Sequence, residues 1–130
     1  MADARFASLQ GQKYLNLETF RKNGQGVRTP VWFAGEPEQG ALEKLYVYST
    51  TDSGKAKRIR NNSRVRVAPC DVRGKLLGEW IEARAEIITG AEAEHGMKLL
   101  NKKYIPWKQL LAFFSFFSRN KRVMFLIRPA

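Results

Sequence analysis

Cysteine and histidine are nearly absent from this chain of 130 residues, which has one of each. The single Cys70 cannot form an internal disulfide and is typical of a reducing compartment, so we expect a buried thiol and a cytoplasmic protein. One histidine and one cysteine are too few for a zinc site or a Cys/His nucleophile. His95 stands in a charged helical segment and is predicted to lie at the surface.

Long apolar runs and acidic residues are also scarce. No run approaches the ~20 residues that cross a membrane, and the first five residues lack the apolar segment of a signal peptide. The chain has 12 acidic residues against 23 basic ones, a net charge of +11. This excess predicts an anionic partner: nucleic acid, an acidic membrane face or a polyanionic small molecule. No pair of carboxylates suggests a general acid and base, so the catalytic residues are unknown.

The composition fits one folded domain spanning residues 1–130, because 44% of the residues are hydrophobic. Alternating segments predict six strands, at residues 14–20, 27–34, 45–49, 64–71, 79–89 and 122–128, with a surface loop at 35–40. Helices are predicted at 3–12, from Gly54, at 91–104 and at 107–118. This order predicts a mostly β fold, a six-stranded antiparallel barrel with flanking helices. Because so small a barrel fills its own interior, a ligand would lie outside it.

Residues 45–62 contain the strongest candidate site. A strand leads into a hydroxyl-rich turn with an N-cap candidate, and the helix that begins at Gly54 carries four early cations: Lys55, Lys57, Arg58 and Arg60. Helix N-termini bind phosphate because unpaired N–H groups and the positive end of the dipole face the anion. The alternative is a solvated basic helix. The segment is not a Walker-type phosphate-binding loop, since the two-glycine spacing of that motif is missing.

Pro30 stands in the middle of the second predicted strand. Proline cannot donate to a sheet ladder, so we expect an edge strand or a bulge there, with backbone groups available to a ligand.

Two features predict a covered surface. Trp80 occupies the charged face of the fifth strand, which indicates contact with a second subunit. The helix at 107–118 is apolar almost all round, which favours burial against the barrel and the dimer mate over contact with a membrane. Its phenylalanines are Phe113, Phe114, Phe116 and Phe117.

Four segments carry a family resemblance: LNLETFRKNG (15–24), VRTPVWF (27–33), SGKAKRIRNN (53–62) and VRVAPC (65–70). They resemble the pyridoxamine 5′-phosphate oxidase-like, FMN-binding split-barrel family, and more narrowly its small deazaflavin (F-420)-dependent oxidoreductases. The chain is much shorter than true pyridoxamine phosphate oxidases, and their substrate-phosphate residues have no counterpart here. That particular activity is therefore not expected.

The resemblance implies a split β-barrel homodimer that binds FMN or F-420 at the subunit interface. The cofactor phosphate would lie near the turn and the basic helix, at Ser49, Thr50, Ser53, Lys55, Lys57 and Arg58. The ring would lie along the second strand, at Thr29, Pro30, Val31 and Trp32. The expected function is an oxidoreductase acting on a small-molecule substrate, a chemistry that needs an anchor, a backbone donor and a dry pocket from the protein.

The choice of cofactor follows from charge. F-420 carries an acidic oligoglutamate tail and needs positive charge beyond the phosphate anchor, which FMN does not. The outward basic residues Lys57, Arg60, Arg64 and Arg66 therefore favour F-420.

Two other functions stay open. Basic residues interleave with aromatic ones, as in small barrels that bind single-stranded nucleic acid, but no module signature matches and the charge clusters at one helix start. An FMN- or haem-binding protein without turnover is the second alternative.

Overall fold

The computed structural model describes residues 6–38, 40–50, 53–103 and 122–130. This part of the chain contains seven strands and two α-helices. The strands are β1 (Tyr14–Phe20), β2 (Gly26–Trp32), β3 (Ala34–Glu38), β4 (Ala41–Thr50), β5 (Arg64–Cys70), β6 (Ile81–Ile88) and β7 (Arg122–Pro129). The helices are α1 (Gly54–Asn61) and α2 (Gly90–Lys103).

The strands form one antiparallel sheet in the order β2-β1-β5-β6-β7-β4-β3. Its two edge strands, β2 and β3, are consecutive in the chain and are separated only by Phe33. Because one residue joins the two edges, the sheet must curl until they approach each other. The result is a curled half-barrel, which confirms the predicted mostly β, antiparallel architecture with flanking helices and is compatible with a split barrel.

The predicted strand count of six is wrong, because residues 34–38 form β3 and not a surface loop. Gly, Pro and Glu have low strand propensity, which favoured the loop. The edge of β4 supplies a pairing partner for these residues, and strand propensity, which is a local property, does not include such a partner. A bulge between Glu36 and Pro37 accommodates the proline in the ladder.

The helix predictions have three outcomes. Both α1 and α2 form where the sequence indicates them. The helix predicted at 3–12 is reduced to a single 3-10 turn at Ala7–Leu9 within the described residues. The helix predicted at 107–118, with its four phenylalanines, lies outside the described residues. No helix in the described ranges is long and apolar enough to cross a membrane.

The main core lies on the inner face of the curled sheet. Alternate residues of neighbouring strands meet there, including Leu15 and Leu17 of β1, and α1 closes the core with Ala56 and Ile59. A second apolar cluster lies on the outer face, where α2 packs on β4 and β7. Gly96 permits this close packing, since a Cβ atom there would lie 2.6 Å from the ring of Tyr46.

Candidate functional site

The N-terminus of α1 is built by two serines. Ser53 is the N-cap, and its Oγ accepts a hydrogen bond from the backbone N–H of Ala56 at 3.1 Å. Ser49, near the end of β4, donates its hydroxyl to Ser53 Oγ at 2.9 Å. The strand and the helix start are therefore held together, and the first turn of α1 contains no acidic residue.

Arg58 folds back over this helix start. Its Nε donates to Thr19 Oγ1 at 2.6 Å. Its guanidinium also lies against Gly54, where a Cβ atom would be 2.8 Å from Nη1. The glycine leaves room for the guanidinium, and Thr19 fixes its direction, so a positive charge stands beside the free N–H groups of the first turn.

Lys55 lies on the same side of α1 as Arg58, three residues earlier. Burial lowers the pKa of Lys55, and the charge of Arg58 lowers it further. Burial likewise lowers the pKa of Arg58, with a further contribution from Arg21. The charge of Arg58 thus disfavours the charged form of Lys55, and the charge of Arg21 disfavours that of Arg58. A bound anion would relieve this repulsion, which is what a phosphate site requires.

Lys57 stands apart from this group. Two residues along a helix correspond to a rotation of about 200°, so Lys57 faces away from Lys55. It is exposed, as is Arg60 one turn later. Of the predicted phosphate residues, the structure brings together Ser49, Ser53, Lys55 and Arg58, and it separates Lys57 from them. The side chain of Thr50 lies outside the described part of the structure.

The four residues predicted to contact the ring lie on β2, which is an edge strand as Pro30 indicated. Pairing with β1 is regular through Pro30, so there is no bulge at this position. Thr29 and Val31 are opposite Leu17 and Leu15 and share the inner face with them, whereas exposed Pro30 lies on the outer face. Trp32 also lies on the outer face and packs against the apolar cluster under α2.

The register between β1 and β2 shows how far β2 lies from Lys55 and Arg58 at the start of α1. Thr19, which holds Arg58, is paired with Val27, and Thr29 lies two residues further along β2. At about 3.4 Å per residue this separation is about 7 Å along the strand. A molecule with its phosphate at α1 could therefore extend along β2 from Thr29 towards Trp32.

Thr19 and Arg21 were missed by sequence reasoning. The alternation of β1 correctly places Thr19 on the inner face, but its contact with Arg58 spans 39 residues. No local pattern contains such a contact. It follows only from the packing of α1 on β1.

The outer face of the sheet carries a separate charged cluster. Glu18 is 3% exposed and accepts hydrogen bonds from Arg28 and Arg66. Both guanidiniums also lie over the ring of Trp80, at 4.7 and 5.2 Å from its centroid. Burial alone would raise the pKa of Glu18, but the two arginines outweigh burial and hold the pKa below its usual value. The chain's own arginines therefore cover part of Trp80.

A family model described as pyridoxamine 5′-phosphate oxidase matches residues 1–129. The chain belongs to this family. The match confirms the resemblance carried by the four segments, while the narrower F-420-dependent branch stays a prediction.

Solved structures share the fold. A haem storage protein from Vibrio cholerae has a TM-score of 0.70 at 13% identity, with 93% of this chain and 84% of that chain covered. An F-420 reductase has a TM-score of 0.61 at 22% identity, with 100% and 96% covered. A protein of unknown function from Agrobacterium tumefaciens has a TM-score of 0.68 at 14% identity; this chain is covered over 91% of its length but spans only 48% of that protein. No curated protein sequence matches. At these identities the similarity establishes the fold and not the activity.

Proposed function

We propose that this protein is an oxidoreductase that uses a flavin-type cofactor, either FMN or the deazaflavin F-420. The supporting observation is the group of Lys55 and Arg58 at the Ser53-capped start of α1. Two partly buried cations and a helix N-terminus without acidic residues suit a phosphate. When bound, such a cofactor supplies hydride or electron transfer, and the protein supplies binding, orientation and exclusion of water.

The ring would lie beside β2. Because β2 is an edge strand, one side of its backbone has no strand partner in the described part of the chain. Such an edge presents N–H and C=O groups that can hydrogen-bond a heterocycle. Val31 and Trp32 contact the inner and outer apolar clusters and would keep this stretch rigid.

The charge distribution bears on the choice of cofactor. Arg66 is paired with buried Glu18, and Arg64 with Glu82 at 2.8 Å, so both are already compensated. Lys57 and Arg60 are exposed on the far side of α1. Within this proposal, F-420 is favoured only to the extent that its acidic tail reaches Lys57 and Arg60.

A homodimer with the cofactor at the subunit interface is part of the proposal. The loop between β5 and β6 exposes Val72, Leu76 and Leu77. Asp71 orders this loop by accepting from the backbone N–H groups of Arg73 and Lys75, both at 2.9 Å. Gly74 of this loop lies beside Pro30 of the edge strand β2, so the preorganised loop offers exposed apolar side chains for a subunit contact next to that edge.

Equilibrium titration with FMN and with F-420 tests the phosphate site. Lys55→Ala and Arg58→Ala should each weaken binding by about 1.5–3 kcal/mol, the usual contribution of a hydrogen bond to a charged group. Lys98→Ala is the matched control, because Lys98 is exposed on α2 and should leave the affinity unchanged. Unchanged affinity in all three variants would contradict the site.

Further outcomes separate the alternative functions. Cofactor binding without reduction or reoxidation across a panel of donors and acceptors would favour a binding protein without turnover. Retention of a single-stranded oligonucleotide by a protein that binds neither cofactor would favour the nucleic-acid alternative.

A further inference from the structure

Three arginines lie side by side on the outer face of the sheet, and we call them the arginine row. Arg64 of β5 is directly opposite Arg84 of β6, and Arg84 is directly opposite Arg128 of β7. Since neighbouring strands are about 4.8 Å apart, the row is about 10 Å long. All three residues are exposed. The row therefore presents a line of positive charge to solvent.

Arg84, in the middle of the row, forms no ion pair with any residue that the structure describes. Its Nη1 donates to Ser63 Oγ at 3.0 Å. The outward carboxylates of its own strand are Glu82 and Glu86, and Glu82 is already paired with Arg64 at 2.8 Å. The charge of Arg84 is therefore left without a paired carboxylate in this part of the chain.

Arg128, at the end of the row, has to share its carboxylate. Glu38 Oε1 lies 3.7 Å from Arg128 Nη1 but only 2.9 Å from Lys44 Nζ. Like charges directly opposite each other on neighbouring strands destabilise a sheet. A bound anion would offset this repulsion, and the planar fork of arginine binds phosphate with two hydrogen bonds.

Aromatic rings lie beneath arginines on the same face. The guanidinium of Arg64 lies 4.5 Å from the ring centroid of Phe20, and those of Arg28 and Arg66 lie over Trp80. The Arg64 side chain is still about half exposed, so its outer side is open to a ligand. Nucleobases stack on guanidinium planes, and single strands bind where positive charge and stacking surfaces occur together.

We propose that this face of the sheet binds single-stranded nucleic acid. Phosphates bind at Arg84 and Arg128, and a base stacks on the guanidinium of Arg64. An exposed, open sheet face gives an extended strand access to all three arginines. The surface shares no residue with the group formed by Lys55 and Arg58 at α1, so it is independent of the cofactor proposal.

Fluorescence anisotropy with a labelled oligothymidylate of about 20 nucleotides tests the inference on the full-length protein. Arg84→Gln combined with Arg128→Gln should weaken binding at least about tenfold at about 50 mM NaCl. Each phosphate contact to a single strand contributes about 0.7 to the slope of log affinity against log salt. The double variant should therefore have a slope smaller by about 1.4.

Lys57→Gln combined with Arg60→Gln is the matched control, because it removes two exposed charges from α1. This control should weaken oligonucleotide binding by less than about threefold. The row variant should bind FMN as the parent does, and it should unfold at a urea concentration no lower than the parent, because the row adds repulsion to the sheet. These two measurements separate a lost surface from a lost cofactor site or a lost fold.

Three results would overturn the proposal. The first is a parent protein that does not bind the oligonucleotide. The second is an equal loss of affinity in the α1 control, which would place the contact on α1. The third is competition by inorganic polyphosphate of similar length as effective as that by unlabelled oligothymidylate, since polyphosphate has no bases to stack on Arg64.

Discussion

Individual residues on the outer face show how a buried charge is stabilised in a strongly basic protein. Glu18 has almost no contact with water, yet Arg28 and Arg66 provide it with hydrogen bonds and opposite charge. Gly26 lies so close to this carboxylate that any side chain there would displace it. The sequence shows Glu18 only as one member of an alternating strand, so its burial could not be predicted locally.

Glu18→Gln should lower the free energy of unfolding by about 2–4 kcal/mol, since removing one partner of a buried ion pair leaves the other charges uncompensated. Glu82→Gln is the matched control. Glu82 pairs with Arg64, and both side chains are about half exposed, so the loss should be below about 1 kcal/mol. Urea unfolding at pH 7 measures both values, and equal losses would contradict the special role of Glu18.

The same residue predicts a pH dependence. The pKa of Glu18 is lowered on folding, so its stabilising contribution is complete above the ordinary glutamate pKa of about 4.5. It is lost as the pH falls from there through the pKa of the folded state. The difference in unfolding free energy between the parent protein and Glu18→Gln should therefore shrink below about pH 4.5.

At the level of elements, α1 has two cationic sides with different surroundings. One side places Lys55 and Arg58 against β1 and the end of β4, where they are partly buried. The other side presents Lys57 and Arg60 to solvent. The first side suits a phosphate, and the second suits only a longer anion that continues past it.

Reversing the exposed charges with Lys57→Glu and Arg60→Glu should weaken F-420 binding and reduce its salt dependence, while FMN binding changes little. The reason is that exposed charge pairs are screened by salt and lie beyond the reach of a single phosphate. Lys98→Glu with Lys102→Glu makes the same charge change on α2 and should affect neither cofactor. Parallel titrations at two salt concentrations provide the measurement. Equal losses for FMN and F-420 would show that no tail crosses this side of α1.

At the scale of the whole molecule, the distribution of exposed apolar side chains bears on subunit assembly. On the outer face of the sheet, Arg28 and Arg66 cover part of Trp80. On the same face, α2 covers the second apolar cluster. Among the residues that the structure describes, the large exposed apolar side chains lie instead on the ordered loop after β5. Burial of these side chains against a second subunit would remove apolar surface from water, so we expect the subunit contact at this loop.

Sedimentation at low micromolar concentration should give a particle of about 30 kDa, twice the chain mass of 14.9 kDa, because obligate interfaces persist on dilution. Val72→Asp with Leu77→Asp should shift the particle towards the monomer mass. Arg73→Asp is the control, since it adds a carboxylate to the same loop without removing an apolar side chain. A parent protein that sediments only as 14.9 kDa particles would contradict the dimer.

The amino-acid sequence by itself determined the local structure. Alternation in β1 and β5, the N-cap at Ser53 and the proline at position 30 act over a few residues, so these two strands, the start of α1 and an edge or a bulge at Pro30 could be predicted. The four family segments likewise identified the fold.

Only the tertiary structure decided which distant residues meet. Residues 34–38 became a strand because β4 offered its edge, against their own propensity. Arg58 reached Thr19, Glu18 became buried between two arginines, and Lys103 came to lie over Phe33. Each of these depends on contacts between residues far apart in the chain, and the energy of such contacts comes from burial and pairing that no local pattern encodes.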